Sequence, residues 1–144
     1  MQNIDTKKHM KAKTPAHMLP RKVRAEADQA AGIARASTKM QRVPPRKARL
    51  AADLIRGLKV EEASLQLMYS ELKGGRLLKK TLDAAVANAE HRLQISRERL
   101  RVKEVLVNAG PILKRAKSKN KGGSVPVMKR TSHFTVVVAA EENV

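Results

Sequence analysis

The chain has no cysteine and no tryptophan, and its aromatic residues are only Tyr69 and Phe134. Without cysteine, disulfides and zinc ribbons are excluded, while the redox compartment stays open. With so few rings the core must be aliphatic and alanine-rich. Modules that splay single-stranded bases over several aromatic platforms are disfavoured, and contact through phosphates, sugars and shape is favoured. Acid is also scarce: 13 Asp and Glu stand against 31 Lys and Arg, a net charge of +18. A compact particle carries that much charge of one sign comfortably only when anions neutralise it, so a polyanionic partner is implied. No apolar run approaches the roughly 20 residues of a spanning helix, and no apolar h-region follows the early lysines. The expectation is a soluble, cytoplasmic protein whose polyanion is nucleic acid and not membrane. The four His, at positions 9, 17, 91 and 133, lack metal-ligand spacing. No nucleophile, base and orienting group cluster along the chain, so no catalytic residue, metal or cofactor is expected.

What is present fits one domain with accessory segments, the expectation for 144 residues. Residues 1–33 are Lys-rich and poor in large apolar side chains, too little to offset chain entropy, and read as a basic extension disordered on its own. Alanines from Ala25 to Ala31 allow a helical turn or two before Gly32 interrupts. The remainder, residues 34–144, reads as the binding domain. Its first helix is expected from Pro45 to Arg56, with proline in the first turn and Gly57 after the end. Ala48, Ala51, Leu54, Ile55 and Leu58 share one face, which leaves Arg46, Lys47, Arg49 and Arg56 to project elsewhere, with Arg42 just ahead. A short helix follows over Val60 to Met68, with Glu61 and Glu62 where the helix dipole favours acid. A third runs from Gly75 or Arg76 to His91, its inward stripe being Leu78, Leu82, Ala85 and Ala89. Leu100 to Ala109 and Thr131 to Ala140 read as strands, the second alternating Phe134, Val136 and Val138 against His133, Thr135 and Val137.

Between those strands, over residues 108–131, lies a candidate β-hairpin. From Val105 to Ala140 there is no acidic residue, yet there are seven basic ones: Lys114, Arg115, Lys117, Lys119, Lys121, Lys129 and Arg130. If the strands continue outward, about 11 residues per arm would project roughly 35 Å, beyond the radius of gyration of about 15 Å expected for a compact chain of this length. Such an arm has no core of its own and belongs among phosphates. Gly122-Gly123 offers the positive φ values of a tight reversal, so the tip is expected near Asn120 to Ser124.

Each feature has a plainer reading. A Lys-rich loop is usually a solvated one, but here acid is absent and Ile112, Leu113, Val125, Val127 and Met128 flank both stems, which favours RNA contact. The glycine pair is not followed by Gly-Lys-Ser/Thr, which argues against a nucleotide-binding loop. The cationic helix face could merely keep the helix soluble, with Arg49 paired to Asp53 four residues on. Asp83 and Glu90 are two turns apart, as an acid/base pair would be, yet Lys79, Lys80 and Arg97 are there to neutralise them. Asn88 reads as a buried hydrogen-bonding residue. His133 reads first as a packed strand histidine and second as an RNA contact. Competing functions are a DNA-compacting protein, which should show a recognition helix or a dimer-forming heptad, and a nucleic-acid-modifying enzyme, which should show a catalytic constellation. Neither feature is evident.

Several segments resemble the bacterial form of a large-subunit ribosomal protein family, L-twenty-two. They are Pro45-Arg46-Lys47-Ala48-Arg49-Leu50 with Asp53-Leu54-Ile55-Arg56-Gly57, then Ala87-Asn88-Ala89-Glu90, Gly110-Pro111 with Lys114-Arg115, and Lys129-Arg130-Thr131-Ser132-His133. Order and spacing agree from Ala34 to Val138. The resemblance implies an α+β fold, with a three-stranded antiparallel sheet packed on three helices and a long protruding basic hairpin. It further implies a structural role in the large subunit: binding its ribosomal RNA, supporting assembly, touching neighbouring ribosomal proteins, and placing the hairpin tip beside the nascent polypeptide in the exit tunnel. Two departures stand out. Pro44 replaces the family's usual serine, removing a hydroxyl cap. The tip carries Lys117, Lys119 and Lys121 where the family is arginine-rich, and lysine lacks arginine's planar fork.

Overall fold

The computed structural model describes residues 28–141, so the basic extension before residue 28 lies outside it. Residues 28–30 are helical, and Gly32 follows with φ of +64°. The chain then runs β1 (Ile33–Gln41), α1 (Pro45–Asp53), α2 (Val60–Tyr69), α3 (Lys73–Leu93), β2 (Leu100–Ala109), β3 (Leu113–Ser118), β4 (Ser124–Lys129) and β5 (Ser132–Ala140).

Two sheets form. The larger has strand order β1-β5-β2, all antiparallel, and the smaller is the β3-β4 hairpin. The last strand is thus the central one, which explains its unbroken Val136-Val137-Val138-Ala139 run, buried on both faces of the sheet. Its inward side chains Phe134, Val136 and Val138 meet Ala34 and Ala36 of β1, Val102, Val105 and Val107 of β2, and the helices above. α3 presents Leu78, Leu82, Ala85 and Ala89, all fully buried, as the 3.6-residue period requires. Its Thr81 is buried too, and its hydroxyl is satisfied by Thr38 on β1 at 2.8 Å.

The sheet and the helices agree with the expected α+β architecture, and some boundaries move. α3 begins at Lys73, ahead of the two glycines. Both glycines are buried, and a Cβ on Gly74 would stand 3.3 Å from the Ala48 backbone, so its small size lets α3 press against α1. α1 ends at Asp53, three residues before the expected Arg56. The chain instead turns so that Ile55 enters the core and Gly57, with φ of +75°, donates its N–H to Val102 at 3.0 Å. Pattern alone does not delimit β1. Its Ala34 and Ala36 are small enough to lie beneath α3, where the Asn88 side-chain amide donates to the Arg35 carbonyl at 3.0 Å.

Candidate nucleic-acid interface

α1 starts without a side-chain cap, because Pro44 has taken that place, but Pro45 at the first helical position needs no N–H partner. Ahead of it the chain makes a tight turn, Val43 N–H to Gln41 carbonyl at 2.8 Å, that buries Val43 and leaves Arg42 exposed. The buried Ser132 hydroxyl donates to the Val43 carbonyl and fixes the turn to β5. Arg46 and Lys47 are exposed, opposite buried Ala48, Ala51 and Ala52.

The remaining helix cations behave differently. Arg56 donates to the Val105 carbonyl at 3.0 Å and pairs with Asp53 at 3.0 Å. Asp53 therefore bonds three residues forward and not to Arg49, whose guanidinium instead lies 3.5 Å from the Val107 carbonyl. Both arginines lean on β2, and each keeps part of its surface in solvent.

Register places these groups at one end of the sheet. Ser132 pairs with Gln41 on one side and Ala109 on the other, so the strand end that carries Arg42 and the start of α1 is also where the hairpin leaves. The exit is tightly built. Gly110 donates to the Thr131 carbonyl at 2.9 Å, and the Thr131 hydroxyl donates to the Pro111 carbonyl at 2.7 Å. A Cβ on Gly110 would clash with Thr131 Oγ1 and stand 3.2 Å from the His133 ring. His133 is half-buried here, and its Nδ1 accepts the Met40 N–H at 2.9 Å, which places the ring proton on Nε2. Met40 has φ of +59° within the irregularity between Thr38 and Gln41, after which pairing with β5 resumes. His133 thus holds a bulge on one side and abuts the hairpin root on the other.

The hairpin itself has no core. Every residue from Lys114 to Arg130 is exposed. Cross-strand pairs Leu113 with Lys129, Arg115 with Val127 and Lys117 with Val125 each join a cation to an aliphatic side chain on one face. The opposite face pairs Lys114 with Met128, Ala116 with Pro126 and Ser118 with Ser124. Lys119 and Lys121 occupy the tip. There the positive φ values fall on Lys121 and Gly122, at +60° and +75°, while Gly123 is at −75°, one residue off the glycine pair expected to supply them. Pairing is not continuous from β2 to β3, because Pro111 supplies no N–H and breaks the ladder. The six-residue strands β3 and β4 each span about 20 Å, and residues 110–112 and the tip add to the reach of the arm. Among the described residues no carboxylate forms an ion pair with any hairpin cation. Also among them, no group of three or more His, Asp or Glu is placed to hold a metal, and no helix is long and apolar enough to cross a membrane.

The sequence-derived set is therefore divided. Arg42, Arg46, Lys47 and the seven hairpin cations face outward, Arg49 and Arg56 partly brace β2, and His133 braces the root. Sequence reasoning misses Gly110 and Thr131 as a bracing pair, although the Gly110-Pro111 dipeptide signals a special backbone there.

Such an arrangement defines a small basic α+β domain that offers one cationic end and a coreless arm. Residues 36–139 match the family model described as Ribosomal protein L22p/L17e. The chain is 69% identical over 106 residues to the large ribosomal subunit protein uL22 of Protochlamydia amoebophila (strain UWE25), covering 74% of this chain and 96% of that protein. It is 58% identical over 108 residues to the protein of the same name from Chlamydia abortus (strain DSM 27085 / S26/3), covering 75% and 97%. The corresponding protein of Chlamydia felis (strain Fe/C-56) is 57% identical over 108 residues, with the same coverage. The chain belongs to the ribosomal protein L22p/L17e family, a family of structural proteins and not of enzymes.

Proposed function

We propose that this protein is a structural constituent of the large ribosomal subunit in the cytoplasm, where it binds ribosomal RNA and supports its assembly. The carrying observation is the hairpin: seven cations, no acid, full exposure and no core, a surface that gains stability only when phosphates surround it. Arg42, Arg46 and Lys47 extend the same surface onto the body, and Arg49, Arg56 and His133 contact RNA with whatever donors their bracing bonds leave free. The mechanism is charge neutralisation combined with shape, and residues 34–144 form the binding domain. The hairpin tip lines the exit tunnel and meets the nascent polypeptide.

Sedimentation of tagged protein from a cell extract tests the first part, with co-migration with the large subunit expected. Deletion of Lys117 to Ser124 with a short reclosing turn tests the second. Those subunits should retain the protein and show altered passage of some nascent chains in ribosome profiling. Profiles identical to wild type would remove the tunnel assignment.

A further inference from the structure

One surface of this cationic protein has the opposite character. α2 buries Val60, Ala63 and Leu67 against the body, so the opposite side of the helix faces solvent. That outward side carries Leu65, Met68 and Tyr69, with fractional exposures of 56%, 61% and 80%, and Leu72 follows at 38%. Leu65, Met68 and Tyr69 follow the i, i+3, i+4 spacing of an apolar helix face, and Leu72 lies beyond the helix end, just ahead of α3. α2 is thus apolar on both sides, and the described residues cover only one.

The charges around the stripe are equally distinctive. From Val60 to Leu72 there are three glutamates, Glu61, Glu62 and Glu71, and no Lys or Arg. Glu61 and Glu62 are exposed on the same outward side as Leu65 and Tyr69, and among the described residues none of the three carboxylates forms an ion pair. Lys59, the nearest cation before them, is 3.6 Å from Glu141. The C-terminal end of α2 adds the negative end of the helix dipole, with no basic residue in its last turn.

We infer that the outward face of α2 is a protein-docking surface for a basic segment of another protein that carries aliphatic side chains. Phosphate is repelled by uncompensated glutamates, whereas a Lys- or Arg-bearing polypeptide is attracted by them, and its aliphatic residues bury Leu65, Met68 and Tyr69. Tyrosine and methionine are enriched at such interfaces because one gives rigid amphipathic area and the other adapts its shape. Charge complementarity of this kind sets orientation and speeds encounter. The surface is separate from the RNA-binding one and does not depend on it.

Site-specific photo-cross-linking in cells that depend on the full-length chain tests this, with a diazirine amino acid at Tyr69 and, as control, at Asp83 on α3. The expected product from Tyr69 is a cross-link to another protein, mapped by mass spectrometry to a stretch combining Lys or Arg with Leu, Ile, Val or Met, and absent from Asp83. With the probe moved to Leu65, the double charge reversal Glu61→Lys and Glu62→Lys should lower its yield about tenfold, the equivalent of about 1.4 kcal/mol. All these side chains are exposed, and an unchanged circular dichroism spectrum confirms that the variants fold. Cross-links only to RNA, only to a second copy of this chain, to an acidic segment, or to nothing would overturn the inference, as would a yield indifferent to charge reversal. Fractionation of the same cells reads separately whether the chain sits in the large subunit.

Discussion

Two residues separate β4, exposed along its whole length, from β5, the most buried strand in the molecule. Both are regular antiparallel strands, yet different forces hold them. β5 is fixed by removal of Phe134, Val136 and Val138 from water, each fully buried beneath α3 and between two partner strands. β4 has only backbone bonds to β3 and shallow cross-strand contacts, and an isolated two-stranded hairpin is marginal in water. The body therefore specifies itself, whereas the arm is specified jointly by its sequence and by the polyanion around it.

The contrast breaks first at the core. Phe134→Ala should destabilise the free protein by about 3 to 5 kcal/mol, since it removes the largest fully buried side chain from the centre of the sheet. Urea denaturation followed by circular dichroism measures it, and a loss below about 1 kcal/mol would show that β5 is not the keystone of the body. At the boundary between the regions, Gly110→Val should cost about 1 to 3 kcal/mol, because its side chain must displace Thr131 and the His133 ring. A lowered melting temperature with retained helix content is the expected signature.

The cations of the body separate next. Replacing Arg49 and Arg56 by Gln should cost stability by under about 1 kcal/mol, as both guanidinium groups are partly solvated. Replacing Arg42, Arg46 and Lys47 by Gln should leave stability unchanged and flatten the salt dependence of ribosomal RNA binding by roughly one logarithmic unit for every phosphate that is no longer neutralised. An unchanged slope would remove that face from the interface. The smallest effect belongs to the arm: Val127→Ala should shift the free protein's stability by less than about 0.5 kcal/mol.

These differences also explain what could be read from the chain. β5 and the three helices show in their periodicity because burial imposes it, and α2 runs one residue beyond the expected Met68. β2 shows instead by its β-branched residues, because a register shift between Val102 and Glu104 breaks its alternation. β1 is obscure because Ile-Ala-Arg-Ala-Ser-Thr-Lys-Met-Gln alternates small and cationic residues, and its strand character comes from pairing with β5. Gly74 and Gly75 argue against helix by propensity, and the proximity of α1 to Gly74 shows why small residues are inside α3. The outward cations are visible as charge, but which of them brace β2 depends on carbonyls nearly 50 residues or more away in sequence. His133 is legible as a packed strand histidine, and its partner at Met40 is not, because a bulge leaves no pattern in sequence.

The root of the hairpin has a mechanical consequence. Each paired strand of the arm spans about 20 Å, so a tilt of about 10° at the root moves the tip by at least about 3.5 Å, the length of one residue. None of the exposed lysines governs that aim. It is set by the hydrogen bonds of Gly110, Pro111 and Thr131 and by the absence of a methyl group on Gly110, where the His133 ring presses close. Tolerances at the far end are therefore written in a few small side chains at the near end.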